Sequence, residues 1–152
     1  MDFETFEKIY KSRTILYKML QLRGYQTEKY DSMTKEELNI LFQNHSKKIN
    51  YDMDSLDMKI EGPDNSVFVK YILNDKLRFN NLEKAIENIY DTIIPDEDTC
   101  IIITKDNILK NKDSHKNNTP LEEYINRNYQ SKNRFIQIFW LNNLLFDPIY
   151  TL

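Results

Sequence analysis

The 152 residues predict a mixed α/β fold, a small four-stranded mixed sheet flanked by helices. Three observations carry that expectation. Apolar residues recur at three- and four-residue steps in some stretches, and alternate or run unbroken in others. Clusters of turn-forming residues separate these stretches. Hydrophobic residues make up 40% and charged residues 30%, a balance that can build a core and still face water.

The opening stretch places Phe6, Ile9, Tyr10, Arg13, Leu16, Tyr17 and Leu20 on one helical stripe. Arg23 and Gly24 supply its C-terminal stop. A second helix starts at Thr34, where Glu37 three residues on completes a capping box. It buries Leu38, Leu41 and Phe42 and ends near His45. The period then changes. Leu56, Met58 and Ile60 alternate with Asp57, Lys59 and Glu61, the mark of a half-buried strand. Gly62-Pro63-Asp64-Asn65 is turn chemistry, so Val67 to Leu73 forms a hairpin with that strand. A third helix covers about Asn80 to Tyr90, with Leu82, Ile86, Ile89 and Ile93 on one face. Thr99 to Thr104 reads as a strand covered on both faces. Residues 105–118 form a polar Lys/Asn-rich loop. Thr119-Pro120-Leu121-Glu122 opens a fourth helix, Leu121 to Gln130, which leads into a last strand, Phe135 to Trp140. Strands separated by helices should pair in parallel through right-handed crossovers.

Function classes narrow next. The formal net charge of −3 and a pI near 5.5 exclude a wholesale polycation, while a local basic loop stays open. Cys100 is alone, so no internal disulfide forms and a reducing, intracellular setting fits. The N-terminus lacks the pattern of a secretory signal. No window approaches the roughly 20 apolar residues of a membrane span. Two glycines cannot build a phosphate-binding loop, and no cofactor is expected. His45 and His115 lie in polar, surface-like contexts without a metal-ligand partner at suitable spacing, so no metal site is expected. Cys100 reads as a buried structural thiol.

Two patterns have chemical content. Asp57-Met58-Lys59 matches the Asp/Glu-x-Lys half of a restriction-nuclease-type site, where two acids bind Mg²⁺ and the lysine assists the attacking water. Asp31, Asp52 or Asp54 would have to supply the second acid. The plain alternative is that Asp57 and Lys59 are the solvent-facing positions of an alternating strand. In the polar loop, Lys105, Lys110, Lys112 and Lys116 could meet phosphates through charge. A merely solvated loop has the same composition.

Several stretches also resemble the N-terminal jaw domain of the fifth-largest subunit shared by eukaryotic-type DNA-directed RNA polymerases. Ile9-Tyr10-Lys11-Ser12-Arg13-Thr14-Ile15, leading to Leu22-Arg23-Gly24-Tyr25, resembles that family's opening helix and its Arg-Gly-Tyr signature. Val67-Phe68-Val69 resembles its second strand. Thr99 to Thr104 with Lys105-Asp106-Asn107-Ile108 is similar to its next strand and polar loop, and 137–146 to its final strand. The similarity spans nearly the whole chain in order and spacing.

The resemblance implies a small sheet related to the restriction-nuclease fold without its active site, and a non-catalytic role in the lower jaw near downstream DNA. It implies contact with other polymerase subunits, chiefly the largest, and a DNA-facing position for Lys105 to Lys116. The family's usual proline is missing from this loop. The family continues into a C-terminal anchoring domain, whereas this sequence stops at Leu152, as in a shortened form or a free-standing jaw paralogue. Residues favoured by AT-rich codons (Asn, Ile, Lys, Tyr) suggest a giant DNA virus homologue. The cytoplasm or the virion would then be its setting, and the nucleus if it is cellular. The competing expectations are a Mg²⁺-dependent nuclease using Asp57 and Lys59, and a protein–protein adaptor that reuses the jaw fold.

Overall fold

The computed structural model describes residues 3–108 and 119–145. Ten elements follow in order: α1 Phe3–Leu22, α2 Glu28–Asp31, α3 Lys35–Asn44, β1 Met58–Glu61, β2 Ser66–Ile72, α4 Phe79–Thr92, β3 Thr99–Thr104, α5 Pro120–Lys132, β4 Phe135–Trp140, and a 3₁₀ turn at Asn143–Leu145. The sheet order is β1-β2-β3-β4. β1 and β2 are antiparallel, while β2, β3 and β4 are parallel. The expected mixed α/β fold with a four-stranded mixed sheet is therefore observed.

Alternation along the strands sends side chains to two separate cores. Met58, Ile60, Val67, Val69, Tyr71, Ile101 and Ile103 face Phe6, Ile9, Leu16 and Leu20 of α1 and Leu38 and Phe42 of α3. Phe68, Ile72, Cys100, Ile102 and Ile136 face Leu82, Ile86 and Ile89 of α4 and Leu121 and Tyr124 of α5. Both crossover helices thus cover one face, and the N-terminal helices cover the other. Every residue of β3 is buried, as a strand enclosed on both faces requires.

Local chemistry sets the helix ends. Thr34 with Glu37, and Thr119 with Glu122, form reciprocal capping boxes, and Pro120 opens α5. Asn133 closes α5 in the left-handed conformation, φ 57°. Gly24, φ 92°, closes α1, and the Tyr25 N–H donates to the Leu20 carbonyl. Three readings are corrected. Tyr10 sits on the exposed side of α1 and Leu41 is only half-buried, because each stripe is narrower than its periodicity suggests. Ile93 likewise packs only in part against its core. The single-turn α2 has no apolar period and was not foreseen. Among the described residues, no helix is long and apolar enough to cross a membrane.

Candidate functional site

Lys70 stands in the middle of β2, a strand otherwise made of Ser, Val, Phe, Tyr and Ile. Its side chain is 1% exposed. A buried ammonium persists only if charge and hydrogen bonds replace water. Asp57 supplies both. The β1–β2 register pairs Met58 with Val69, and one step further sets Asp57 opposite Lys70. Nζ of Lys70 lies 3.0 Å from Asp57 Oδ2 and donates to the Asp52 carbonyl at 3.0 Å. Asp57 Oδ2 also accepts the Asp54 N–H at 2.8 Å. Burial pushes the Asp57 carboxyl above its usual range, against the opposing pull of the Lys70 ammonium and the Asp54 N–H.

Asp57 is therefore not the solvent-facing residue of an alternating strand. The segment between α3 and β1 folds back and covers it. Lys59, two residues on, remains exposed as expected. The same segment encloses His45, which is not an exposed histidine. Its side chain is 9% exposed, and its Nδ1 is hydrogen-bonded to Asp54, while Nε2 is buried without a partner. Asp54 Oδ1 accepts the Ser46 N–H at 3.1 Å. Burial pushes the Asp54 carboxyl up, but the Ser46 N–H and His45 pull it further down, below the ordinary aspartate range.

The acids proposed as second ligands do not converge on Lys59. Asp31 accepts from Gln21 and Thr27 beside α2. Asp52 contributes its backbone carbonyl, and Asp54 is committed to Ser46 and His45. Among the described residues, no group of three or more His, Cys, Asp or Glu side chains is placed to hold a metal ion. Cys100 is fully buried, and burial pushes its thiol up to about 12, an unreactive state.

Of the four loop lysines, the structure places Lys105. It is exposed, with Nζ 2.7 Å from Asp75 Oδ1 in the loop after β2. Lys110, Lys112, Lys116 and His115 lie outside the described residues.

The Arg-Gly-Tyr stretch is a joint. Arg23 Nη1 donates to Gln137 Oε1 on β4 at 3.0 Å. The Tyr25 hydroxyl donates to Asn65 Oδ1 in the hairpin turn at 2.6 Å, and its ring lies against Gly62. Three residues thereby tie the end of α1 to the turn and to the far strand.

One network escaped the sequence reading. Arg134 is buried and binds Asp96 at 2.8 Å, Glu87 at 3.2 Å and Asn128 at 3.1 Å, with its guanidinium over the Tyr90 ring. The only sequence signal was an arginine just before an apolar strand. Set beside known protein families and curated proteins, the chain matches none of them.

Proposed function

We propose that the chain is a non-catalytic jaw module of a multisubunit DNA-directed RNA polymerase, lying near downstream duplex DNA. What supports the reading is that the stretches resembling the jaw domain fall on the framework of the fold. Ile9 to Ile15 lies in α1, Val67 to Val69 in β2, Thr99 to Thr104 is β3, and the Arg-Gly-Tyr stretch is the joint between α1, the hairpin and β4. The joint carries the reading, because it gives that signature a mechanical task. In this reading the sheet derives from a restriction-nuclease-like ancestor whose site has been given over to structure. Asp57 is spent on Lys70, which weighs against the Mg²⁺-nuclease alternative.

The lysines beginning at Lys105 act by charge without base readout, since lysine is a point charge with no fixed fork. The partners are the other polymerase subunits, chiefly the largest, and the DNA. The setting is intracellular.

The test is to purify the polymerase from the source with a tag on this chain. Comparable amounts of the two largest polymerase subunits are expected alongside it. Changing Lys105, Lys110, Lys112 and Lys116 to Glu should weaken transcribing complexes at moderate salt and leave start sites unchanged. A polymerase that lacks the tagged chain would overturn the reading and leave the adaptor in its place.

A further inference from the structure

Three cations are buried among the described residues: Arg13, Lys70 and Arg134. Two of them face carboxylates. Lys70 binds Asp57, and Arg134 binds Glu87 and Asp96. Arg13, only 2% exposed, has no acid within ion-pair distance among the described residues. Its Nε donates to the Tyr17 hydroxyl at 3.2 Å and its Nη1 to the Leu56 carbonyl at 2.8 Å. Its guanidinium carbon lies 5.8 Å from the centre of the Tyr71 ring. All three neighbours are neutral, since burial pushes both tyrosine hydroxyls above their ordinary range. A guanidinium does not give up its proton, so burying it without a counter-charge is costly. These bonds serve part of its fork and none of its charge.

Arg13 is also the buried member of the lining of a cleft of about 280 Å³ between α1, α2 and α3. Helical spacing sets Tyr10, Arg13, Thr14, Tyr17, Lys18 and Gln21 along one ridge of α1. Tyr30 and Asp31 of α2, with Met33 and with Leu38 of α3, line the facing side.

The charges of this lining say what it can hold. Arg13 and Lys18 are positive and Asp31 is negative, a balance of +1. Asp31 accepts from Gln21 and Thr27. Beyond the lining, Lys35 is bound to Glu7 at 2.6 Å, and Glu28 and Lys29 offset one another. Lys35 and Lys29 already stand over the Tyr10 and Tyr30 rings, at 5.0 and 5.5 Å, which sets like charge against a cationic ligand. One negative charge answers the balance, whereas a dianion would exceed it and meet Asp31.

We propose that this cleft binds a small organic acid, its carboxylate answering the charge of Arg13 and its flat apolar body lying among Tyr10, Tyr30, Met33 and Leu38. The planar fork of arginine matches a carboxylate, and Lys18 adds charge at the exposed mouth. The inference stands apart from the jaw reading, and either can fail without the other.

The test is to follow backbone amide chemical shifts of the full chain by NMR during titration with phenylacetate. The titration runs to about 10 mM, a range suited to a ligand of so few atoms. Saturable shifts are expected at Arg13, Thr14, Tyr17 and Tyr30. Phenylacetamide, the same body without the charge, should bind at least about tenfold more weakly. Arg13→Gln should lose the response, but this variant also gives up a buried anchor and can fail to fold. Thr14→Phe avoids that difficulty. Thr14 is exposed, its hydroxyl bonds only the Tyr10 carbonyl of its own helix, and a ring there fills the cleft without touching the Arg13 bonds. It should remove the saturable response in a folded protein.

Equal affinity for the acid and the amide would show that the charge is not read, and would overturn the proposal. So would a response that survives Thr14→Phe, because the ligand would then sit elsewhere. Tighter binding of phenyl phosphate would overturn the choice of a carboxylate. No saturable shift with phenylacetate would leave Arg13 a structural anchor and the cleft without this ligand.

Discussion

Asp57 and Lys70 show what a single pair of side chains can decide. The ammonium is 1% exposed and the carboxylate 0%, so removing one partner leaves an uncompensated buried charge. Asp57→Asn should lower stability by about 3–5 kcal/mol, read from the urea midpoint. Asp57→Leu with Lys70→Met removes both charges and should recover most of that loss, because the raised carboxyl already shows desolvation outweighing the attraction. A single variant as stable as wild type would mean that the pair is solvated. Asp54 makes the companion case for pH. Its carboxyl is depressed in the folded state, so the stability it contributes is present above the unfolded value. That stability is lost as pH falls through the folded one. Asp57 has the opposite sign, since its raised value favours the folded state on protonation. Protection of the Ser46 amide, its exchange measured against the intrinsic rate at the same pH, should therefore fall as pH drops below about 4, and Asp54→Asn should abolish that dependence. An amide equally protected at both ends of the range would show that Asp54 does not hold this loop.

Among the elements, the hairpin turn depends on one close approach. A Cβ on Gly62 would meet the Tyr25 ring at 2.5 Å and the Asn65 carbonyl oxygen at 2.6 Å. Gly62→Ala must push the ring off the turn and break the Tyr25–Asn65 hydrogen bond. A loss of about 1–3 kcal/mol in chemical denaturation is expected, in the range of overpacking substitutions. An unchanged midpoint would mean that the turn yields freely. How far such features were legible follows from whether they are local. The capping boxes at Thr34 and Thr119, and the strands Thr99–Thr104 and Phe135–Trp140, depend on neighbours in sequence and could be read directly. The hairpin was legible too, but its register was not carried through. Pairing Glu61 with Ser66 would have set Asp57 opposite Lys70 and marked the lysine in an apolar strand as paired. The single-turn α2 and the Arg134 network join residues with no periodic signal, so nothing local announced them.

For the whole molecule, the question is whether this sheet carries nuclease chemistry. Such a site needs two carboxylates converging on Mg²⁺ and a lysine beside the attacking water. Lys59 is exposed and could serve, but both nearby carboxylates are engaged. Asp57 binds the Lys70 ammonium at 3.0 Å, and Asp54 binds Ser46 and His45. Freeing Asp57 for a cation would strand Lys70 in the core, a cost of several kcal/mol that binding would have to offset. Incubation of supercoiled plasmid with the chain and Mg²⁺ or Mn²⁺ should therefore give neither nicked nor linear product. The informative control is the Asp57→Leu/Lys70→Met variant, which keeps the fold and removes the only carboxylate of the motif. Cleavage by wild type that disappears in this variant would restore the nuclease. Cleavage equal in both would come from a contaminant, because a variant without Asp57 has lost the motif's only metal-binding acid.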